Sequence, residues 1–278
     1  MARKPRVEYA GATYHVMNRG NDGAKVFLDR RDYELFLGKM AEACERGGWR
    51  IHSYVLLPNH FHWLLETPEA NLVAGMKWLL GAYSMGFNSR HGRHGHVFQG
   101  RYKAVLVQPD SGNYFETVST YIHLNPVRAG LLSQEDTDLS DYRWSSFPEY
   151  ARDRKKRPTW LEVTRVLGNL GLKDDGPGRA EYSQYMADRI REWRTRAGRN
   201  MYREAWRPVR YGWCLGGDEF RDEMLDLVEN RLSSGAQRDS YSGPATEQHD
   251  ERQAERLARQ GLRMLGVKNE ALGALNKG

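Results

Sequence analysis

In the run YVLLPNHFHWLLETP, residues 54–68, two histidines stand one residue apart, His60 and His62. On a β-strand, residues two apart point to the same face. The two imidazoles therefore project together, with Leu64 and Glu66 further along, while Phe61, Trp63 and Leu65 turn to the other side. So placed, they can share one metal ion, for which histidine is the commonest protein ligand. The competing reading is a pair of ordinary strand histidines, hydrogen-bonded or solvated. A metal site needs a third ligand and a reactive group, and STYIHLNPVRAGL, residues 119–131, contains candidates for both. On a helix Tyr121 and Asn125 are i and i+4, on one face and one turn apart. Asn125 offers a carbonyl oxygen, a ligand type suited to Mg²⁺ or Mn²⁺. Tyr121 offers a phenol that can attack phosphorus when a metal polarises the phosphoryl group. Taken singly, Tyr121 also reads as a buried helix aromatic, and Asn125 as an unremarkable residue before Pro126.

Between these motifs lies NSRHGRHGHVFQGRYKAV, residues 88–105, in which Arg90, Arg93, Arg101 and Lys103 alternate with histidines, Phe98 and Tyr102. Cations neutralise phosphates, and rings and the Gln99 amide can stack on or hydrogen-bond to exposed bases. Arg128, just past the helix of Tyr121, is a further phosphate contact by the same reasoning. The loop also reads as a merely solvated basic segment, or, through HGRHGH, as a zinc ligand set.

The elements that must position these groups follow from periodicity and punctuation. TYHVMN (13–18) alternates as a first strand and ends at RGNDG. Residues 29–45 carry Tyr33, Phe36, Leu37, Met40 and Ala41 at helical spacing, with RGGW as the stop. Residues 50–57 form a second strand, Pro58-Asn59 a tight turn, and 60–66 a third strand. A second amphipathic helix covers 71–91, a fourth strand 101–107, and a third helix 110–124, stopped by Pro126. The order βαββαβ predicts an α+β fold, a ferredoxin-like antiparallel sheet with two helices on one face. The third helix is then free to cover the open face. The sequence divides into a catalytic domain over 1–150, a helical accessory region over 151–232, and a linker with a polar helical tail over 233–278.

At 278 residues the chain can bury a sizeable core, and its formal charge of +6 suits a polyanionic partner. Two cysteines, Cys44 and Cys214, argue against a disulfide scaffold or a cysteine zinc site and for a reducing compartment. The basic start has no apolar stretch behind it, and no window is long enough to span a membrane, so a cytoplasmic protein is expected.

In their order and spacing, LLPNHFHWLLE, GHVFQGRYKAVLV and YIHLNPVRAGL resemble the His-hydrophobic-His single-tyrosine transposases, in particular the IS200-like branch called REP-associated tyrosine transposases. GATYHVMNRGN and YRWSSFPEY extend the resemblance over roughly residues 5–150. It implies a metal-dependent single-stranded DNA transesterase. His60 and His62 match the metal-binding histidines, Tyr121 the nucleophile and Asn125 the third, polar ligand, with His123 as a fallback. It further implies cleavage and joining beside repeat hairpins through a 5′-phosphotyrosine, with Mg²⁺ or Mn²⁺ as cofactor. Two alternatives stand beside this: a domesticated hairpin-DNA binder without cleavage, and a metal-dependent hydrolase of small phosphate esters. No P-loop, dinucleotide fingerprint or nucleophile-elbow serine supports other chemistry. Whether the protein works as a monomer or a homodimer is open at this level.

Overall fold

A computed structural model describes residues 7–109, 113–132, 138–233, 248 and 250–257. Glu8–Gly217 pack as one compact unit, built on β1 (Ala12–Arg19), α1 (Arg30–Gly47), β2 (Arg50–Leu57), β3 (His60–Thr67), α2 (Leu72–His91), β4 (Lys103–Val107) and α3 (Tyr114–His123). There follow α4 (Asn125–Arg128), α5 (Phe147–Tyr150), α6 (Thr164–Asn169), α7 (Gly176–Arg194), α8 (Arg196–Ala205), α9 (Arg207–Tyr211) and β5 (Cys214–Leu215). The sheet order is β2-β3-β1-β4-β5, so the first four strands make the expected ferredoxin-like α+β sheet. All their pairings are antiparallel, and β5 adds a short parallel edge beside β4.

Alternation decides the two faces. Phe61 and Trp63 point to the side covered by α1 and α2, where they pack with Phe36, and Tyr83 closes on Phe36 from α2. These rings are completely buried, each stabilising the fold by roughly 1.5–3 kcal/mol through area removed from water. Helix α1 starts at Asp29, whose carboxylate accepts from the Arg31 and Asp32 amides in a capping box. It stops at Gly48, where φ of 65° suits a residue without Cβ.

The β2–β3 turn is tied to the loop after β1. The Val26 and Phe27 amides donate to the Pro58 carbonyl, at 2.8 and 3.1 Å, and the Gly20 amide donates to that of Asn59, at 2.8 Å. A Cβ on Gly20 would lie 2.0 Å from the Ala24 carbonyl oxygen, so only glycine lets this loop close on the turn. The third helix departs from the single element expected. It ends at His123, Leu124 is its cap, and Pro126 sits in the first turn of α4 rather than after a helix. Proline lacks the amide that would continue the ladder, so the helix breaks and restarts.

Helix α10 (Asp218–Ser233) and the described residues 250–257 belong to a second compact unit. Within that unit Arg252 pairs with Asp226 at 2.9 Å and Arg256 with Glu229 at 3.3 Å. Most of the expected linker, and the tail from residue 258, lie outside the described residues. No helix among the described residues is long and apolar enough to cross a membrane.

Candidate active site

On the face opposite α1 and α2, the strand register lays functional groups side by side. His62 on β3 stands opposite Met17 on β1, and Met17 opposite Lys103 on β4. Helix α3 crosses this face and brings the Tyr121 ring edge-on to His62, with centroids 5.4 Å apart. His60 and His62 are 5.1 Å apart, centroid to centroid, with their planes at 85°. A cleft of about 480 Å³ is lined by both histidines, Tyr121, Asn18, Asn59 and the cations Arg19, Arg101, Lys103 and Arg210. The structure thus brings together His60, His62, Tyr121, Arg101 and Lys103 from separate sequence motifs.

The histidine tautomers follow from their partners. Asn59 Nδ2 donates to the Gly23 carbonyl at 3.2 Å, which turns its Oδ1 toward His60 Nδ1, 2.7 Å away. An amide oxygen only accepts, so His60 carries its proton on Nδ1 and keeps Nε2 bare. Burial, then the charges of Arg19 and Arg128, push the His60 pKa down to about 4. Burial likewise holds His62 well below 6.5. Both rings are neutral at pH 7, the form that ligates a metal. The donor set therefore fits a divalent ion.

Tyr121 is only 4% exposed. Its ring is enclosed by His15 at 5.5 Å, His62, Trp206 at 5.2 Å and the Arg128 guanidinium at 4.4 Å. Among the described residues its hydroxyl makes no hydrogen bond, which leaves the oxygen available for attack. Asn125 supports this arrangement from behind. Its Nδ2 donates to the Tyr121 carbonyl at 2.9 Å, and its Oδ1 accepts from Arg128 at 3.0 Å. The amide thus occupies the carbonyl freed by the helix break. His123, the fallback ligand, faces away: its ring nitrogens lie 2.8 Å from the Tyr182 hydroxyl and 2.7 Å from that of Ser146.

The other expected DNA contacts are dispersed. Arg90 is bound to Asp29 at 3.0 Å and to buried Asp32, with His91 also on Asp32 at 2.9 Å. Asp29, Asp32 and His91 could offer three atoms to a cation, but Arg90 and the start of α1 already use these carboxylates. Arg93 and His94 line a separate cavity with Met85. Gln99 is exposed, its backbone amide donating to the Arg19 carbonyl at 2.8 Å. Tyr102 is buried, turned away from the face of Arg101 and Lys103. Arg128 stacks on Tyr121, Trp206 and Trp193.

His15, Arg19, Arg210 and Tyr211 escaped the sequence reading. His15 is diagonal to His62 across β1–β3, with its Nε2 3.0 Å from His62 Nδ1. Arg19 ends the same strand. Arg210 and Tyr211 arrive on α9, where Lys103 Nζ donates to the Arg210 carbonyl at 2.5 Å. The alternation of TYHVMN put His15 and Met17 on one face, and only the pairing of β1 with β3 says which face that is.

A family model described as "Transposase IS200 like" matches residues 8–125. Over these residues the chain is similar to the IS200-like transposases. The match takes in His60, His62, Tyr121 and Asn125, while α5 to α9, which pack in the same compact unit, lie beyond it. Two solved structures are similar to the chain. One is described as the "Structure of the REP associates tyrosine transposase bound to a REP hairpin", at 19% identity over 59% of this chain and 94% of that one, with a TM-score of 0.44. The other is a putative transposase from Deinococcus radiodurans R1, at 19% identity over 43% and 95%, with a TM-score of 0.32. No curated protein matches.

The sheet holds its histidines at a cost that shows on acidification. His15 and His123 are fully buried, and burial lowers each from 6.5 to about 3. At pH 7 the folded state leaves both neutral and the unfolded state is mostly neutral. Below pH 6.5 the unfolded chain takes up protons that the folded one refuses, so stability falls progressively between pH 6.5 and about 3. By pH 5 the loss should be on the order of 2 kcal/mol for each of the two. Urea unfolding at pH 7 and pH 5 checks this; an unchanged midpoint would mean that the imidazoles are hydrated.

Proposed function

We propose that the protein is a metal-dependent single-stranded DNA transesterase of the REP-associated tyrosine type. In this reading it cleaves and rejoins DNA beside repeat hairpins in the cytoplasm through a 5′-phosphotyrosine. The observation that carries this reading is the Tyr121 phenol set edge-on against His62 in a cation-lined cleft that also holds His60. His60 and His62 would hold Mg²⁺ or Mn²⁺ through their Nε2 atoms. Asn125 would be the third ligand in this reading; in the structure its Oδ1 accepts from Arg128. When bound, the ion supplies Lewis-acid polarisation of the scissile phosphate. Tyr121 Oη then attacks phosphorus, the bond to the 3′ oxygen breaks, and the phosphate stays on the tyrosine with the 5′ end of the downstream strand. Arg19, Arg101, Lys103 and Arg210 neutralise the phosphates that flank the cut. The hairpin partner rests on the resemblance of the three sequence motifs. The part played by the segment of α8 and α9 is to wall the cleft, since Trp206 backs Tyr121 and Arg210 and Tyr211 line the opening.

The test is incubation with a repeat-hairpin oligonucleotide, Mg²⁺ and label on either side of the cut. Label on the 3′ side should migrate with the protein on a denaturing gel, and 5′-side label should run free with an extendable 3′-OH. Reversed labelling would sink the mechanism, and free fragments on both sides would indicate a hydrolytic nuclease.

A second expectation separates the cleft cations from the structural ones. Replacing Arg19, Arg101 and Arg210 by glutamine should weaken strand binding and reduce its salt slope by about 0.7 for each phosphate no longer neutralised. Arg90→Gln should instead lower the melting temperature and leave the slope unchanged, because that guanidinium is engaged with Asp29 and Asp32. Equal slopes in the triple variant and the wild type would remove the cleft from the DNA path.

A further inference from the structure

His15 lies on β1, wholly buried, with one ring nitrogen on His62 and the ring edge toward Tyr121. The motifs that supply the metal ligands and the nucleophile give it no task. Histidine is a poor filler for a dry strand position, because each ring nitrogen needs a partner or costs desolvation. Leucine would fill the volume without that cost. A polar group in such a place invites the question of what its one hydrogen bond achieves.

The bond between His15 Nε2 and His62 Nδ1 holds a single proton, which has two possible placements. If it sits on His15, then His62 must carry its own proton on Nε2, pointing into the cleft. That cleft is walled by cations that only donate: Arg19, Arg101, Lys103 and Arg210. Its amide acceptors are already taken, Asn59 Oδ1 by His60 and Asn18 Oδ1 by the Arg19 amide at 2.9 Å. A donor facing donors is unfavourable. If the proton sits on His62 Nδ1, Nε2 is bare and becomes an acceptor among donors. This second placement puts the His15 proton on Nδ1. That atom has no hydrogen-bond partner among the described residues in either placement. The cleft end of the pair thus selects this arrangement. It is also the arrangement His60 adopts through Asn59.

We propose that His15 is a positioning residue that accepts the Nδ1 proton of His62 and so holds the His62 Nε2 bare toward the cleft. The two cleft histidines are then set by separate devices: His60 by the amide of its neighbour Asn59, and His62 by a histidine from the adjoining strand. The relation is that of an outer partner to a metal ligand, which orients the ring and raises its basicity. This inference rests on the metal reading of His60 and His62 for its purpose, though not for the proton placement itself.

Two measurements test it. Long-range ¹H–¹⁵N spectra of the metal-free, full-length protein report each histidine tautomer directly. His62 should show a protonated Nδ1 and an unprotonated Nε2; the reverse pattern would overturn the proposal. Calorimetric titration with Mn²⁺ alone then compares His15→Leu and His15→Gln with the wild type. The leucine variant, which keeps an apolar filling, should lose roughly 10- to 100-fold in affinity. The glutamine variant presents an amide oxygen to the same Nδ1 proton and should stay within about threefold. Wild-type affinity in His15→Leu would overturn the positioning role. If His15→Leu does not fold, the wild-type spectrum and the glutamine variant decide. Should the wild type bind no Mn²⁺, the metal reading falls, while the spectrum still settles the tautomer.

Discussion

Tyr121→Phe should abolish the covalent protein–DNA adduct, lowering its formation by several orders of magnitude, since no other group can replace a lost nucleophile oxygen. Binding of the same oligonucleotide should change by less than about threefold. The reason is geometric: the ring that Arg128, Trp206, His15 and His62 enclose is retained, and only the oxygen goes. Because that oxygen makes no hydrogen bond among the described residues, the melting temperature should also hold. A denaturing gel and a binding titration on one preparation check the first two expectations, and a thermal melt the third. Persistence of the adduct would transfer the chemistry elsewhere, with Tyr114, half-buried at the first turn of α3, as the next candidate.

His60→Ala and His62→Ala should both eliminate cleavage, and they should differ in what else they do. His60 is half-buried and, among the described residues, its side chain is hydrogen-bonded only to its neighbour Asn59, so its loss should leave the fold near wild-type stability. His62 is 5% exposed and is the partner of His15. Its removal strands a buried ring nitrogen and should cost about 1–3 kcal/mol in addition. Excess chelator should silence the wild type as either substitution does, and Mg²⁺ or Mn²⁺ should restore it. Cleavage that survives chelation would end the metal reading, whatever the histidine variants show. Urea midpoints beside cleavage rates separate the two histidines.

The periodic elements were legible because they are local. Phe61 and Trp63 against His60 and His62 could be assigned to opposite faces from alternation alone, and α1 and α2 hold that assignment. The β2–β3 turn at Pro58-Asn59 could be read from its residue types. Where the chain departs from expectation, a competing local rule or a distant partner is responsible. The fourth strand begins at Lys103 rather than 101, because its ladder starts where Met17 pairs with it. The helix carrying Tyr121 breaks at Leu124, because Pro126 withholds an amide and the Asn125 side chain takes over the Tyr121 carbonyl. Arg90 resembled a phosphate contact in a basic loop, yet two carboxylates some sixty residues away claim it.

By itself, then, the sequence determined the ferredoxin-like α+β order, the facing of the histidine pair, and the one-turn spacing of Tyr121 and Asn125. All of these follow from the periods of strand and helix, which each residue carries with it. Only the tertiary structure decided which groups complete the site. His15 meets His62 through the register of β1 on β3, and register is a property of two strands together. Trp206 and Arg210 reach Tyr121 and the cleft because α8, α9 and β5 return to the sheet about ninety residues after the nucleophile. No spacing rule spans such a distance, since the contact is selected by burial of the aromatic rings and not by anything either segment encodes locally.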